Sequence, residues 1–156
     1  MNRRIIIELF EKYDAVTFYT VRFTDEQENE YDKFCQKFDG TPEYNKDFEI
    51  IIEWLNIISE KGALERYFRP EGGKLQALPL DGGKLRHFSL RISDCICIIG
   101  NGDKKTDGSW QNNPLLKPIG DVLNQVVRHL QSRLDEGVNI YNCELFGNLE
   151  FTIETE

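Results

Sequence analysis

The stretch KLRHFSLRISDCICIIGNGDKKT, residues 84–106, decides the fold because it holds two strand patterns joined by a short polar turn. From Lys84 to Ile92, basic and apolar side chains are interspersed in a run that favours a strand. Ser93-Asp94 then leads into the apolar run Cys95 to Ile99, and Gly100 to Lys105 follows as a polar loop. Runs of this length, bounded by Gly, Asn, Asp and Ser, predict a pair of antiparallel strands.

Two further strands are predicted upstream of this pair. Leu75 to Leu78 precedes the hairpin-type turn Asp81-Gly82-Gly83, so it adds a third strand to an antiparallel meander. Ala15 to Phe23, with the sequence AVTFYTVRF, is rich in β-branched and aromatic residues and predicts an early strand. Together these segments predict an antiparallel sheet of three to four strands.

A pair of helices is predicted between the early strand and the meander. Thr24 to Gln27 fits a capping box, and apolar residues follow at helical spacing as far as Phe38. Thr41 and Pro42 suit the N-cap and the first position of a second helix, which has its own apolar stripe. Lys61-Gly62 is the natural end of that helix, because glycine is the residue that most often terminates helices.

The remainder of the chain predicts a long helix and a tail. Ile119 to Leu134 carries an apolar stripe at helical spacing, and Val138 to Ile153 is typical of a final strand pair or an ordered extension. A length of 156 residues is near the common size of one domain. We therefore predict a single α+β domain over residues 1–156.

The composition and the cysteines indicate a cytoplasmic protein. The apolar run Ile5 to Ile7 is interrupted by Glu8, so neither a signal peptide nor a membrane span is predicted. The four cysteines show neither CxxC spacing nor the density of a disulfide scaffold, and they do not suggest a metal site. Cys95 and Cys97 are expected on one face of a strand, where neighbours are poor disulfide partners, so we expect reduced thiols.

Positive charge is concentrated in the middle of an acidic chain. The net charge is −8, yet residues 61–117 contain ten Lys and Arg against six Asp and Glu, a net charge of +4. An acidic protein with one basic segment suggests a polyanionic partner at that segment.

The order strand, helix pair, antiparallel strands and basic loop resembles that of the RelE/HigB-like toxins, small α+β ribonucleases of bacterial toxin–antitoxin systems. The resemblance covers roughly residues 15–106. The chain departs from the family in being longer and more acidic and in having an extra helix and tail. It also has Gly100 to Asp103 at the position where the family tends to have an apolar or aromatic lead-in. The resemblance rests on the helix hairpin 25–61, the segment Lys74 to Leu78, Arg86 within Leu85-Arg86-His87-Phe88, and Lys104-Lys105-Thr106.

The resemblance implies a ribosome-dependent ribonuclease that cleaves mRNA without a metal or cofactor and is restrained by a cognate antitoxin. The RNA 2′-hydroxyl attacks the neighbouring phosphate, so the site needs a base, cations for the phosphate charge and an acid for the leaving oxygen. An arginine fork binds two phosphate oxygens, lysine supplies a compact charge, and histidine can act as a base near neutral pH. The predicted catalytic residues are Arg86, Lys104, Lys105 and His87, and the predicted RNA-binding residues are Arg66, Tyr67, Arg69, Lys84 and Arg91.

Structural roles for the same residues stay open at this point. His87 and Arg91 share a strand face, where either can serve a helix carboxylate, and lysines beside a glycine loop are commonly only solvated. Tyr67 can anchor its loop to the core instead of stacking on a nucleotide. The second hypothesis is therefore a non-catalytic protein-interaction module on the same fold, which suits an acidic chain that RNA would repel at long range.

Overall fold

The computed structural model describes residues 1–134 and 136–156 and has an α+β fold. Its helices are α1 (Glu30–Phe38), α2 (Asn45–Lys61) and α3 (Lys117–Arg133). Its strands are β1 (Asn2–Lys12), β2 (Thr17–Phe23), β3 (Arg69–Pro70), β4 (Gln76–Ala77), β5 (Leu85–Ser93), β6 (Ile96–Lys104), β7 (Val138–Tyr141), β8 (Glu144–Gly147) and β9 (Glu150–Glu154). Short 3₁₀ helices cover Glu65–Tyr67 and Trp110–Asn112.

One seven-stranded sheet forms the centre of the fold, with the strand order β3-β4-β5-β6-β2-β1-β9. Neighbouring strands are antiparallel except β2 and β6, which pair in parallel with Phe18 opposite Cys97. A parallel pair needs a long crossover, and here α1, α2 and the strands β3, β4 and β5 lie between β2 and β6 in the chain. The predicted meander is confirmed, and β7 and β8 form a separate hairpin.

Helices cover both faces of the sheet, so the protein has two hydrophobic cores. On one face, Phe34 of α1 and Ile51 and Ile58 of α2 pack with Phe18 and Ile99 of the sheet. On the other face, the buried residues include Val126 and Leu130 of α3, Phe88 and Leu90 of β5, and Ile98 of β6. The sheet therefore divides the surface into an α1/α2 face and an α3 face.

The sheet is larger than the three to four strands that the sequence predicts. β1 lies between β2 and β9, and it buries Ile5 and Ile7 on the α3 face. Most of its other residues are charged, which suits its opposite face because that face is only partly covered. On that face, Glu8 pairs with Arg22 of β2. This mixture of charge and burial conceals the strand in the sequence.

The helix ends agree with the sequence pattern better than the helix starts. α2 ends at Gly62, whose positive φ of 99° suits glycine, as predicted. α1 begins later than predicted: the N-cap is Asn29, because Thr24 still pairs with β1 through its bond to the Arg4 carbonyl. The Thr41 hydroxyl donates to the Phe38 carbonyl and closes the turn after α1, so it does not cap α2.

The expectation of four reduced cysteines is wrong, because Cys95 and Cys143 form a disulfide with a Cα–Cα distance of 5.5 Å. Cys95 lies in the turn before β6 and packs on the α3 face, whereas Cys97 lies within β6 and is buried on the α1/α2 face. The two cysteines therefore do not share a face. Cys143 reaches Cys95 from the tip of the β7–β8 hairpin, a contact that no local pattern encodes.

Candidate active site

A half-buried carboxylate and a guanidinium meet at one edge of the sheet. Oε1 of Glu71 lies 3.6 Å from Nε of Arg86, and the two side chains are 18% and 20% exposed. Burial raises the pKa of Glu71 above its ordinary value, and the positive charges of Arg86, Lys105 and Arg69 only partly oppose that shift. A partly buried carboxylate whose pKa is raised, beside cations, has the properties of a general base.

Trp110 holds the backbone of Glu71 in place. Its indole N–H donates a hydrogen bond of 2.8 Å to the Glu71 carbonyl, and its ring packs edge-on against Phe88 with centroids 5.6 Å apart. Trp110 is buried against α3, where Gly120 leaves room for the indole ring. The position of Glu71 therefore depends on how α3 packs on the sheet.

The two predicted catalytic lysines, Lys104 and Lys105, lie in different surroundings. Lys105 is close enough to Glu71 for its charge to affect the pKa of that carboxylate, and its ammonium donates to the Leu80 carbonyl at 3.3 Å. The ammonium of Lys104 instead lies 5.4 Å from the ring centroid of Tyr44, which packs with the α1/α2 core. Lys105 therefore joins Arg86 and Glu71, and Lys104 lies apart from them.

His87 lies in the core, away from any substrate at the surface, so the geometry does not fit the predicted role of base. The residue is fully buried, and its ring lies between Phe34 and Tyr31 with centroid distances of 4.8 and 5.9 Å. Burial lowers the pKa of His87 to about 4, and Nε2 bonds the Gly100 carbonyl at 2.9 Å. His87 is a neutral core residue at physiological pH because burial disfavours a charge on the imidazole ring.

Two of the predicted RNA-binding arginines, Arg91 and Arg69, are held by carboxylates. Arg91 donates to the Ala63 carbonyl at 2.6 Å and forms an ion pair with Asp94, which ties β5 to the end of α2. Arg69 forms a two-point ion pair with Asp81 at the exposed turn before β5. Both guanidiniums would have to exchange these partners before binding RNA.

The remaining predicted RNA-binding residues lie on or near the α1/α2 face. Tyr67 packs against Trp54 of α2 with a centroid distance of 5.9 Å, and the Arg66 guanidinium lies 5.3 Å from the Tyr67 ring centroid. The backbone N–H of Lys84 donates to Asp47 at 2.6 Å, while the Lys84 side chain is exposed. Of the nine predicted residues, Arg86, Lys105 and Arg69 are thus close enough to Glu71 for their charges to affect its pKa, and Arg69 is already held by Asp81.

Glu71 is the site residue that the sequence does not reveal. It lies in the flexible-looking segment Glu71-Gly72-Gly73, and a lone acidic residue beside glycines carries no recognisable pattern. The pairing of β4 with β5 brings this segment to Arg86, and Trp110 fixes it from a distant part of the chain. The available signal is weak: Glu71 follows the basic segment Arg66 to Arg69 by two residues.

Comparisons with known proteins do not identify the chain: no family model matches it, and no curated protein or solved structure gives a significant match. Among residues 1–134 and 136–156, no helix is both long and apolar enough to cross a bilayer. The same residues contain no group of three or more His, Cys, Asp and Glu side chains arranged to hold a metal ion.

Proposed function

We propose that the protein is a RelE/HigB-like endoribonuclease that cleaves ribosome-bound mRNA through its own side chains, with Glu71, Arg86 and Lys105 as the catalytic group. The observation that carries the proposal is the half-buried Glu71 carboxylate, 3.6 Å from Arg86 and within the electrostatic influence of Lys105. The order of strand, helix pair and antiparallel strands in the fold supports the resemblance to this family.

The proposed reaction is an internal transesterification. The Glu71 carboxylate accepts the proton of an RNA 2′-hydroxyl, and the resulting oxygen attacks the adjacent phosphorus. The bond from phosphorus to the 5′-oxygen breaks, which leaves a 2′,3′-cyclic phosphate and a 5′-hydroxyl after the leaving oxygen takes a proton from the Lys105 ammonium. Arg86 stabilises the negative charge on the phosphate oxygens during this exchange.

The Glu71–Arg86 pair suits this role because binding of substrate converts one ion pair into another. In the free protein, Arg86 compensates the half-buried carboxylate, whose pKa stays raised. When a phosphate binds Arg86, Glu71 loses part of that compensation and becomes a stronger base. An antitoxin that covers this edge of the sheet would block the reaction, as the resemblance implies.

A second candidate is a non-catalytic interaction module on the same scaffold. Specific observations favour it: the net charge is −8, and Arg69 and Arg91 are already paired with Asp81 and Asp94. Such a protein would bind a basic partner through its acidic surface and would leave RNA intact.

Expression in a bacterial host separates the two candidates. Induction of the wild-type chain is expected to stop growth and to fragment translated mRNA, whereas Arg86→Ala combined with Lys105→Ala is expected to do neither while remaining folded. Lys46→Ala combined with Lys61→Ala removes two exposed charges from α2 and serves as the control. Normal growth and intact mRNA with soluble, folded wild-type protein would reject the ribonuclease in favour of the interaction module.

A further inference from the structure

A long groove runs beside α3 on the same side of the sheet as Glu71. Its volume is about 1220 Å³, and its walls include residues of α3 from Pro118 to Gln131. With a rise of about 1.5 Å per residue, this part of the helix is roughly 20 Å long. Phe23 and the loop Gly72 to Lys74 contribute to the other walls.

The groove borders the loop that begins at Glu71, although Glu71, Arg86 and Lys105 are not themselves among its lining residues. Gly72, which lines the groove, directly follows Glu71 in the chain. Trp110 lines the groove as well, and its indole N–H holds the Glu71 carbonyl. An RNA strand whose phosphate lies at Arg86 would reach this groove by passing the loop Gly72 to Lys74.

Two cations of the groove are available to a ligand. Lys74 and Arg128 are exposed, and within residues 1–134 and 136–156 neither has an ion pair or a side-chain hydrogen bond. Arg3, by contrast, is held by Asp25 and Glu26 and stacks on Phe23. Lys74 and Arg128 are therefore the residues best placed to bind phosphates.

The groove also presents carboxamide side chains. Asn124 lies beside the loop, since a methyl group built at Gly73 would be 3.6 Å from its Oδ1. Gln111 and Asn124 make no side-chain hydrogen bond to other groove-lining residues in the described chain, whereas Gln125 is bonded to the backbone of Glu154. Free carboxamides can pair with the edges of unstacked bases. Glu30 and Asp121 also line the groove, and their charges are compensated by ion pairs with Lys33 and Lys117. Glu154 and Glu156 line it as well and oppose phosphate at their own positions.

We infer that this groove binds the single-stranded RNA that extends from the cleavage site, with Lys74 and Arg128 on its phosphates and Asn124 on a base edge. The inference rests on the proposed ribonuclease function and adds to it the path of the substrate. The bound RNA lies along Lys74 and Arg128 and not along Glu154 and Glu156, because carboxylates repel phosphate.

The test measures binding of a fluorescein-labelled, mixed-sequence 2′-O-methyl RNA oligonucleotide, which cannot undergo 2′-hydroxyl attack, by fluorescence anisotropy over a series of salt concentrations. Lys74→Gln combined with Arg128→Gln is expected to raise the Kd roughly tenfold at low salt. The slope of log K against log salt should fall by about 1.4, because each phosphate contact on a single strand contributes about 0.7. Lys46→Gln combined with Lys61→Gln makes the same change in net charge on α2 and should leave the Kd unchanged.

Two further variants complete the test. Glu154→Gln combined with Glu156→Gln should tighten binding, and Glu71→Gln should retain binding while losing cleavage of translated mRNA. Equal affinity of the wild type and the Lys74/Arg128 variant would overturn the groove inference, as would a wild type that cleaves mRNA but does not bind the oligonucleotide. A wild type that neither binds nor cleaves RNA would overturn the ribonuclease proposal together with the inference.

Discussion

The indole N–H of Trp110 donates a hydrogen bond of 2.8 Å to the main-chain carbonyl of Glu71, although 38 residues lie between them in the chain. This bond joins the loop that carries the proposed base to the residues that precede α3. Trp110 in turn packs against Gly120 within α3. The placement of the Glu71 carboxylate beside Arg86 is thus a property of the assembled fold and not of its own loop.

Gly120→Ala should destabilise the protein even though alanine favours helices. The change gains about 1 kcal/mol of helix propensity, but the new methyl group would overlap the buried Trp110 ring, and such overpacking costs about 1–3 kcal/mol. We expect a net loss of about 1 kcal/mol in the free energy of unfolding, measured by urea denaturation. Gly137→Ala, where a methyl group meets no atom of residues 1–134 and 136–156 within 4 Å, should change the stability by less than about 0.5 kcal/mol. A stabilised Gly120→Ala variant would show that the indole has room to move.

Glu71→Gln should abolish most of the RNA cleavage, because the amide cannot accept the 2′-hydroxyl proton. The expected loss is about 100-fold to about 10,000-fold in rate, the usual contribution of a general base. Burial raises the pKa of Glu71, so the acid limb of the wild-type rate profile should lie above pH 4.5, the ordinary value for this side chain. Glu65→Gln, at an exposed position in the neighbouring 3₁₀ helix, is the matched control and should cleave normally. An unchanged rate in Glu71→Gln would exclude this carboxylate as the base.

His87 should make the protein sensitive to acid. The unfolded chain takes up a proton at the ordinary His pKa of 6.5, whereas the folded protein does so only at a pKa of about 4. This contribution to stability is therefore fully present above pH 6.5 and is lost as the pH falls towards 4, by about 3 kcal/mol in total. Urea denaturation near pH 7 and near pH 5 measures the effect.

Variants at position 87 isolate the histidine contribution from that of the carboxyl groups. His87→Leu, or His87→Gln where the leucine variant is too unstable, has no titrating side chain and should lose about 2 kcal/mol less than the wild type between these two pH values. An identical acid dependence in wild type and variants would show that His87 is protonated as easily in the fold as in the unfolded chain.

The Cys95–Cys143 disulfide should stabilise the fold by tethering the β7–β8 hairpin. It closes a loop of 48 residues, for which the loss of unfolded-state entropy corresponds to about 4 kcal/mol. Cys143→Ser, or reduction of the wild type with dithiothreitol, should lower the free energy of unfolding by up to that amount. Cys35→Ser, at a free and half-buried thiol, serves as the control. Equal stability of oxidised and reduced wild type would contradict this account.

Local patterns in the sequence predict the central strands and the end of α2 correctly. Alternation within β5, the apolar run of β6 and the glycine at position 62 each act within a few residues of the chain. The predicted helix start at Thr24 is wrong for the same reason. The capping pattern is local, but the hydrogen bond from the Thr24 N–H to the Arg4 carbonyl keeps Thr24 beside β1. Tertiary pairing overrides a local preference worth about 1 kcal/mol.

The candidate site is harder to predict from the sequence, because its residues are far apart in the chain and meet only in the folded protein. Arg86 and Lys105 stand out as cations in a basic segment, but Glu71 becomes a partner only through the β4–β5 pairing and Trp110. His87 looks like a titrating surface residue until α1 packs Phe34 over it. Burial, which decides whether a polar residue meets substrate, is set by the whole fold.

Cleavage of mRNA in a reconstituted translation reaction tests the central claim most directly. Purified wild-type protein, Glu71→Gln and Arg86→Ala are added to ribosomes that translate a defined mRNA, and the ends of the RNA fragments are analysed. We predict fragments with 2′,3′-cyclic phosphate and 5′-hydroxyl ends for the wild type, and none above background for folded Glu71→Gln and Arg86→Ala. Intact mRNA with folded wild-type protein, or equal cleavage by all three proteins, would contradict the assignment of this site.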